Sequence, residues 1–410
     1  MSRILIVGAG AAGLMAAIHA ARQGAGVTLL DHNEKAGKKI YITGKGRCNC
    51  TNDCALEDFL PEVARNARFL YSALSAFSPR DLMSLLEENG CPVTVQRGRR
   101  VYPASEKASD VTRALTRLCD RLGVRILLNR QVDSVLTRDG RVRGVRLASG
   151  ETLEADAVIL ATGGMSYPAT GSTGDGYRLA RDLGHTVISP LPSLSALETA
   201  ESWPAALQGL SLRNVSLTLR CGKKTLYSNL GEMLFTHFGV SGPLVLEASC
   251  HLPEEAKGCQ LLLDLKPGLT GDQLDARLLR EFAAAGKKQL STVLPALLPH
   301  RLAEIFPGLC GLPEALICNQ VTVAQRETLA RFLKACPLTV SARRPMAEAI
   351  VTRGGVSVRE VSPATMESRL VPGLYFAGEL LDVDAHTGGY NLQIAFSTGA
   401  LAGRSAADQL

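Results

Sequence analysis

Three glycines near the N-terminus have the spacing of a phosphate-binding turn. Gly8, Gly10 and Gly13 lie in Gly8-Ala9-Gly10-Ala11-Ala12-Gly13, with Asp31 further on. Gly8 permits a tight turn, Gly10 lets backbone approach a pyrophosphate, and Gly13 lets a helix pack closely on a strand. Asp31 can accept hydrogen bonds from a ribose. The surrounding residues supply the elements that position this chemistry. Ile4-Leu5-Ile6-Val7 is short, apolar and β-branched, which suits a buried parallel strand. Leu14 to Arg22 is rich in Ala, Leu and Met and reads as a helix. Gly24 to Gly26 breaks it, and Val27-Thr28-Leu29-Leu30 is a second strand ending in Asp31. The helix N-terminus adds unpaired N–H groups and about half a positive charge. NAD and FAD both present a pyrophosphate and a ribose, so this unit alone does not choose between them.

Composition narrows the class. The 410 residues imply two or three domains at ~100–200 residues each. Hydrophobic residues at 46% and charged residues at 20% are ordinary for a globular protein and exclude a disordered chain. The net charge of +6 suits anionic cofactors and substrates. No Lys/Arg tract with interleaved aromatics appears, so no nucleic-acid partner is expected. No apolar run approaches the ~20 residues of a membrane helix, so no membrane partner is expected either. The glycine turn inside the first apolar stretch argues against a signal peptide. Eleven cysteines lack framework spacing and read as reduced thiols, which points to the cytoplasm. Cys48, Cys50 and Cys54 have neither CxxC nor CxxxxC spacing, and no second ligand pair accompanies them, so no metal is expected.

Along the chain, Lys35 to Asn52 is dense in Gly, Lys and small polar residues. Lys38, Lys39, Lys45 and Arg47 bring positive charge, while Thr43, Asn49 and Thr51 bring hydrogen bonds, so the loop reads as a wrap around a phosphate and a polar ring rather than a solvated basic loop. Helical spacing of apolar residues from Glu57 to Glu88 predicts covering helices, and Val93 to Tyr102 predicts a hairpin turning near Arg97-Gly98-Arg99. Arg138-Asp139-Gly140-Arg141 carries the favoured Asp-Gly hairpin pair. Ala157 to Ala161 rejoins the main sheet and opens into Thr162-Gly163-Gly164, where doubly wound sheets bind ligands. Tyr167 to Gly176 lacks a P-loop lysine, which rules out that route to ATP.

Residues 190–342 read as an inserted domain, part β and part helical, between a first part at 1–189 and a second at 343–410. Within it, His237 beside Thr236 and Ser241 is the best-placed histidine for proton transfer. Near the C-terminus, Gly373 to Glu379 is a strand ending in Gly378 and an acid. Gly388-Gly389-Tyr390-Asn391-Leu392-Gln393 then opens an Ala- and Gly-rich helix. A second strand, glycine turn and helix at the far end of the chain suits a long cofactor. FAD reaches across the sheet, and this helix N-terminus would face the flavin pyrimidine edge and stabilise negative charge there.

Five stretches carry a family resemblance. They are Gly8 to Gly13, Thr43-Gly44-Lys45-Gly46-Arg47-Cys48-Asn49 with Thr51-Asn52, Ala161 to Gly164, Phe235 to Pro243, and Ala377-Gly378-Glu379 with Gly388 to Gln393. In this order they resemble the BaiN-like flavoproteins, a group of YhiN-type proteins that includes aminoacetone oxidase-like members. The resemblance covers nearly the whole chain. It implies an α/β fold: a two-part Rossmann-like, glutathione-reductase-like FAD-binding domain with an inserted β-barrel plus helices. It implies one FAD per chain. On the N-terminal side the expected contacts are Gly8, Gly10, Ala11, Ala12, Gly13, Asp31 and Lys39, then Thr43, Gly44, Gly46, Arg47, Cys48 and Asn49. Further on they are Val132, Ala161, Thr162 and Gly163, and finally Gly378, Glu379, Gly389, Tyr390, Asn391 and Gln393. Cys50 departs from the pattern, in a variable slot between Asn49 and Thr51.

The expected activity is an FAD-dependent oxidoreductase moving hydride or electrons to or from a small carbonyl, enone or amine. NADH or NADPH is the expected transient donor. Arg47, His237 and Tyr390 are the catalytic candidates. Two other classes stay open: a flavoprotein acting on RNA, and a flavin-bearing electron-transfer or binding protein.

Overall fold

The four apolar residues Ile4 to Val7 become the middle of a five-stranded parallel sheet. The structure, a computed structural model, describes residues 2–408. The sheet strands are β1 (Arg3–Val7), β2 (Gly26–Leu30), β3 (Arg125–Leu127), β4 (Ala157–Leu160) and β5 (Leu374–Phe376), in the order β5-β4-β1-β2-β3. Every neighbouring pair is parallel, with Ile6 level with Leu29 on one side and Ile159 on the other. Helices cover both faces of such a sheet, which is why these strands are continuously apolar rather than alternating.

Helix α1 (Ala11–Arg22) and helix α2 (Tyr390–Asp408) pack together. A Cβ on Gly399 would lie 2.2 Å from the Ala12 carbonyl oxygen, and one on Gly403 would lie 2.2 Å from that of Ala16. Both contacts advance by four residues on each helix, so the two helices run side by side in the same direction.

The stretch 57–88 differs from its prediction. Helices form at Leu56–Phe59, Tyr71–Ala76 and Pro79–Glu88, but a strand, Val63–Arg65, interrupts them and pairs antiparallel with Asp384–Ala385. Pro61 limits helix propagation, Asn66 takes a left-handed conformation (φ +57°), and Pro79 starts a new helix, Pro79–Glu88. Ser78 caps that helix reciprocally with Asp81, so the restart is written locally. The hairpin forms as Val93–Gln96 and Arg100–Pro103, and the Asp139-Gly140 turn has two positive φ angles, as a type I′ turn requires.

Contacts divide the chain into two units, one running to Ser193 and resuming at Pro345, the other Leu194–Arg344. The second unit contains a closed barrel of Leu197–Thr199, Gly239–Ser241, Lys224–Thr236, Ser211–Cys221, Gln260–Asp264 and Cys336–Arg343, in that order. Helices Gly271–Ala285, His300–Leu309 and Val323–Lys334 contribute Leu278, Phe306 and Leu329 to its core. The expected two-part Rossmann-like domain and inserted barrel are both present. The expectation that all eleven cysteines are reduced is overturned: Cys221 and Cys259 form a disulfide with their Cα atoms 4.5 Å apart. Strand register creates this pair. Arg220 faces Gln260, so the next residues out are the two cysteines, a relation invisible in their separation of 38 residues. Among the described residues no helix is long and apolar enough to cross a membrane.

Candidate functional site

The glycine turn is braced before any ligand arrives. Gly8 has φ +105°, and a Cβ there would lie 2.4 Å from the Ala161 carbonyl oxygen, so only glycine fits. A Cβ on Gly13 would lie 1.8 Å from the Gly8 carbonyl oxygen. A Cβ on Gly10, by contrast, would meet nothing within 4 Å, so this glycine leaves open space at the N-terminus of α1. Asp31 accepts hydrogen bonds from the Ala9 N–H (2.7 Å), the Asn33 N–H (2.8 Å) and the Asn33 side-chain amide (2.9 Å). It therefore fixes the turn as well as offering its remaining lone pair to a ribose.

The packing of α1 on α2 sets the reach of the site. Ala12 is one residue into α1 and Gly399 is nine into α2. At 1.5 Å per residue, the N-terminus of α2 projects about 12 Å beyond that of α1 in the same direction. Two positive helix ends thus stand at different depths of one cleft. The first suits a pyrophosphate, and the second suits a group that becomes negative further along an extended ligand.

Between them lies a polar knot. Lys39 Nζ donates to Ser166 Oγ and to Glu379 Oε2, both at 2.7 Å. Glu379 Oε1 accepts from the Thr352 N–H (2.7 Å) and Ser166 Oγ (3.0 Å). Thr352 Oγ1 in turn accepts from the N–H groups of Met165 and Ser166. Lys39 and Glu379 were expected, and the knot adds Ser166 and Thr352. Their signal was present in Gly163-Gly164 and Gly354-Gly355: a Cβ on Gly164 would lie 2.4 Å from Thr352 Oγ1.

At the far end, the loop after Thr43 meets the start of α2. A Cβ on Gly389 (φ +100°) would lie 2.3 Å from the Thr51 carbonyl oxygen. The Asn52 amide donates to the carbonyls of Gly98 (3.0 Å) and Gly388 (3.2 Å), tying the hairpin tip to α2. Tyr390 packs edge-on against Phe59, with ring centroids 5.0 Å apart. Arg47 lies over the Tyr102 ring at 4.4 Å and pairs with Glu106 at 3.1 Å. Asn391 holds the Ala385 backbone through both ends of its amide. Cys48 is buried, and burial pushes its thiol up to about 12; Cys50 is pushed up likewise, so neither supplies a thiolate at neutral pH.

Buried polar atoms without partners show what this end lacks. Asn49 Oδ1, Thr51 Oγ1, Asn52 Oδ1 and Gln393 Oε1 have no hydrogen bond within the chain, and Thr162 Oγ1, beside the first glycine turn, has none either. Buried polar atoms normally find partners, and a polar ring with both donors and acceptors supplies them. These residues, the open space at Gly10 and the staggered helix ends fit FAD. When bound, FAD supplies hydride transfer.

Two further predicted residues are Val132 and His237. Val132 opens the strand Val132–Arg138 and is buried. His237 belongs to the second unit, in the two-residue turn between Lys224–Thr236 and Gly239–Ser241. It is exposed and packs edge-on against Phe238.

The sequence matches the HI0933-like protein Rossmann domain over residues 2–405, and the chain belongs to that family. It is 35% identical over 421 aligned residues to the 3-dehydro-bile acid delta(4,6)-reductase of Clostridium scindens, covering 100% of each chain. It is 34% identical to the ribosomal RNA dihydrouridine synthase of Haemophilus influenzae, over 97% of this chain and 96% of that one. Among solved structures it resembles a flavocytochrome c3 fumarate reductase (TM-score 0.52, 16% identity, 99% of this chain and 78% of that one). It also resembles a 3-ketosteroid-delta4-(5alpha)-dehydrogenase from Rhodococcus jostii (TM-score 0.50, 17% identity, 99% and 97%). The protein is an enzyme, an FAD-dependent oxidoreductase.

Proposed function

We propose that the enzyme reduces a carbon–carbon double bond conjugated to a carbonyl. The observation that carries this reading is the pair of staggered helix ends with unpartnered polar atoms at the deeper one, a cradle suited to a hydride-carrying flavin. The two full-length relatives support the choice of acceptor. A 3-dehydro steroid with unsaturation at positions 4 and 6 carries its double bonds in conjugation with a ketone. Dihydrouridine is uridine with the double bond beside a ring carbonyl saturated. The two names thus share one chemistry: hydride to the β-carbon, and a proton to the α-carbon.

In this reading NADH or NADPH is the donor. Lys39, Thr43, Gly44, Gly46 and Asn49 hold the cofactor with the first glycine turn, and α2 stabilises negative charge at its own N-terminus. Arg47 and Tyr390 are the groups at that end able to hold the carbonyl or pass a proton, and His237 is the third candidate. The substrate is a small organic enone. A second reading, uracil within RNA, draws on the Haemophilus relative and on the exposed Arg97, Arg99 and Arg100 at the hairpin tip. The test is product mass. The holoenzyme is incubated with NADPH and either a 3-oxo-4,6-diene steroid or unmodified ribosomal RNA. A gain of two hydrogens in one of them supports the reading and chooses the substrate. A flavin that is reduced while neither gains hydrogen contradicts it.

A further inference from the structure

Three short strands stand beside the start of α2: Thr51–Asn52, Arg100–Pro103 and Val93–Gln96, hydrogen-bonded in that order. Arg100 faces Asn52 on one side and Gln96 on the other, so these three side chains share one face of the sheet. The opposite face carries Thr51 and Val101, both fully buried. Arg100 therefore lies one strand spacing, about 5 Å, from the residue whose amide holds the Gly388 carbonyl at 3.2 Å. The same amide holds the Gly98 carbonyl at 3.0 Å, and the Asp53 N–H holds that of Arg99 at 2.8 Å. The tip Arg97-Gly98-Arg99 is thus fixed relative to the start of α2. Charge on this tip is not balanced. The acids that contact it are taken: Glu106 pairs with Arg47 at 3.1 Å, Asp58 with Arg99 at 2.7 Å and Asp53 with Arg80 at 3.6 Å. Arg97 and Arg100 are exposed and have no acidic partner among the described residues. Two unmatched guanidinium groups stand beside the deeper end of the cradle.

We propose that Arg100, supported by Arg97, is a specificity-determining residue that holds an oxyanion, carboxylate or phosphate, carried by the enone substrate. The proposal rests on the reduction of a conjugated double bond at this site. A guanidinium donates two parallel hydrogen bonds to an oxyanion, while a neutral ester offers a weaker acceptor and a cationic group is repelled. The cofactor's own pyrophosphate is not a rival ligand, because it belongs at the start of α1, about 12 Å back along the cleft. Arg100 touches no reacting atom: it sets which enone is held, not how fast hydride moves. Water screens so exposed a contact, so its effect is about tenfold in affinity rather than the larger factor of a buried pair.

The test compares three forms of one 3-oxo-4-ene steroid: the 17-carboxylate, its neutral methyl ester and the 17-phosphate. Binding to the oxidised, FAD-loaded enzyme is read from the perturbed flavin bands, and turnover with NADPH gives KM and kcat. The carboxylate, the phosphate or both bind about tenfold tighter than the ester, and whichever gains more identifies the oxyanion. Arg100→Gln, checked for unchanged flavin content, raises the Kd and KM of that anion about tenfold. It leaves kcat and the binding of the ester unchanged, and Arg100→Lys restores part of the loss. Arg117→Gln, which removes an exposed charge from the helix Ala108–Arg121, changes nothing. Equal binding of all three steroids, an Arg100→Gln effect shared by the ester, or an equal effect of Arg117→Gln overturns this assignment alone. Flavin bands and turnover that respond to none of the three overturn it together with the enone reading.

Discussion

Gly399 lies against the backbone of Ala12, with no room for a methyl group between the two helices. That contact fixes the depth at which α2 begins relative to α1, and so the length of cofactor the site accepts. Gly399→Val forces the helices apart. We expect a loss of about 3 kcal/mol in stability and loss of flavin retained through purification. Urea unfolding and the visible spectrum of the variant check both.

The Lys39–Glu379 pair joins two segments at the middle of the cleft, each side chain about one-fifth exposed. Lys39→Met leaves Glu379 with the Thr352 N–H and Ser166 hydroxyl but no cation. The expected cost is about 1–2 kcal/mol in stability, with weaker FAD binding. A double-mutant cycle with Glu379→Gln isolates the pair, for which we expect about 1 kcal/mol of coupling.

His19 is held neutral. Burial, then Arg404 and Arg22, lowers it to about 3, and its Nδ1 accepts from Arg404 Nε at 3.1 Å. Below its ordinary value of 6.5 the unfolded chain takes up a proton that the native chain refuses. Stability therefore falls as pH falls from 6.5 towards 3, with a limiting slope of about 1.4 kcal/mol per pH unit. In His19→Gln, where the side-chain oxygen can still accept from Arg404, this part of the acid limb disappears. Unfolding curves across that range make the comparison.

The Cys221–Cys259 disulfide closes a loop with a sequence separation of 38 residues. On the chain-entropy account it contributes about 4 kcal/mol. A reductant, or Cys221→Ala with Cys259→Ala, should lower the melting temperature of the enzyme. Flavin absorbance followed during the same melt reports whether the cradle responds with the barrel.

Local features of the site were legible in the sequence. Gly8 to Gly13, the strand before it and the helix after it belong to one short segment, and so do the 93–103 hairpin and Gly388 to Tyr390. Long-range relations were not. Lys39 and Glu379 are separated by 340 residues, and each was readable only as a polar residue in a glycine-rich turn. The pairs Gly163-Gly164 and Gly354-Gly355 marked close approaches, but not that the Thr352 hydroxyl would accept from two N–H groups after β4. Val63–Arg65 looked helical because its apolar spacing is shared with its neighbours, yet pairing with Asp384–Ala385 makes it a strand. The disulfide depends on barrel register, which cysteine spacing does not encode.

The central claim, that this enzyme carries FAD and passes hydride to a conjugated double bond, is tested most directly by an anaerobic half-reaction. The purified enzyme is reduced with NADPH, the excess is removed, and cyclohexenone or cyclohexanone is added while flavin absorbance is followed. We expect yellow protein, bleaching on reduction, and return of the flavin bands with the enone but not with the saturated ketone. Protein that takes up no FAD, or reduced flavin that stays bleached with every conjugated acceptor including a 3-oxo-4-ene steroid and uridine-containing RNA, would contradict it.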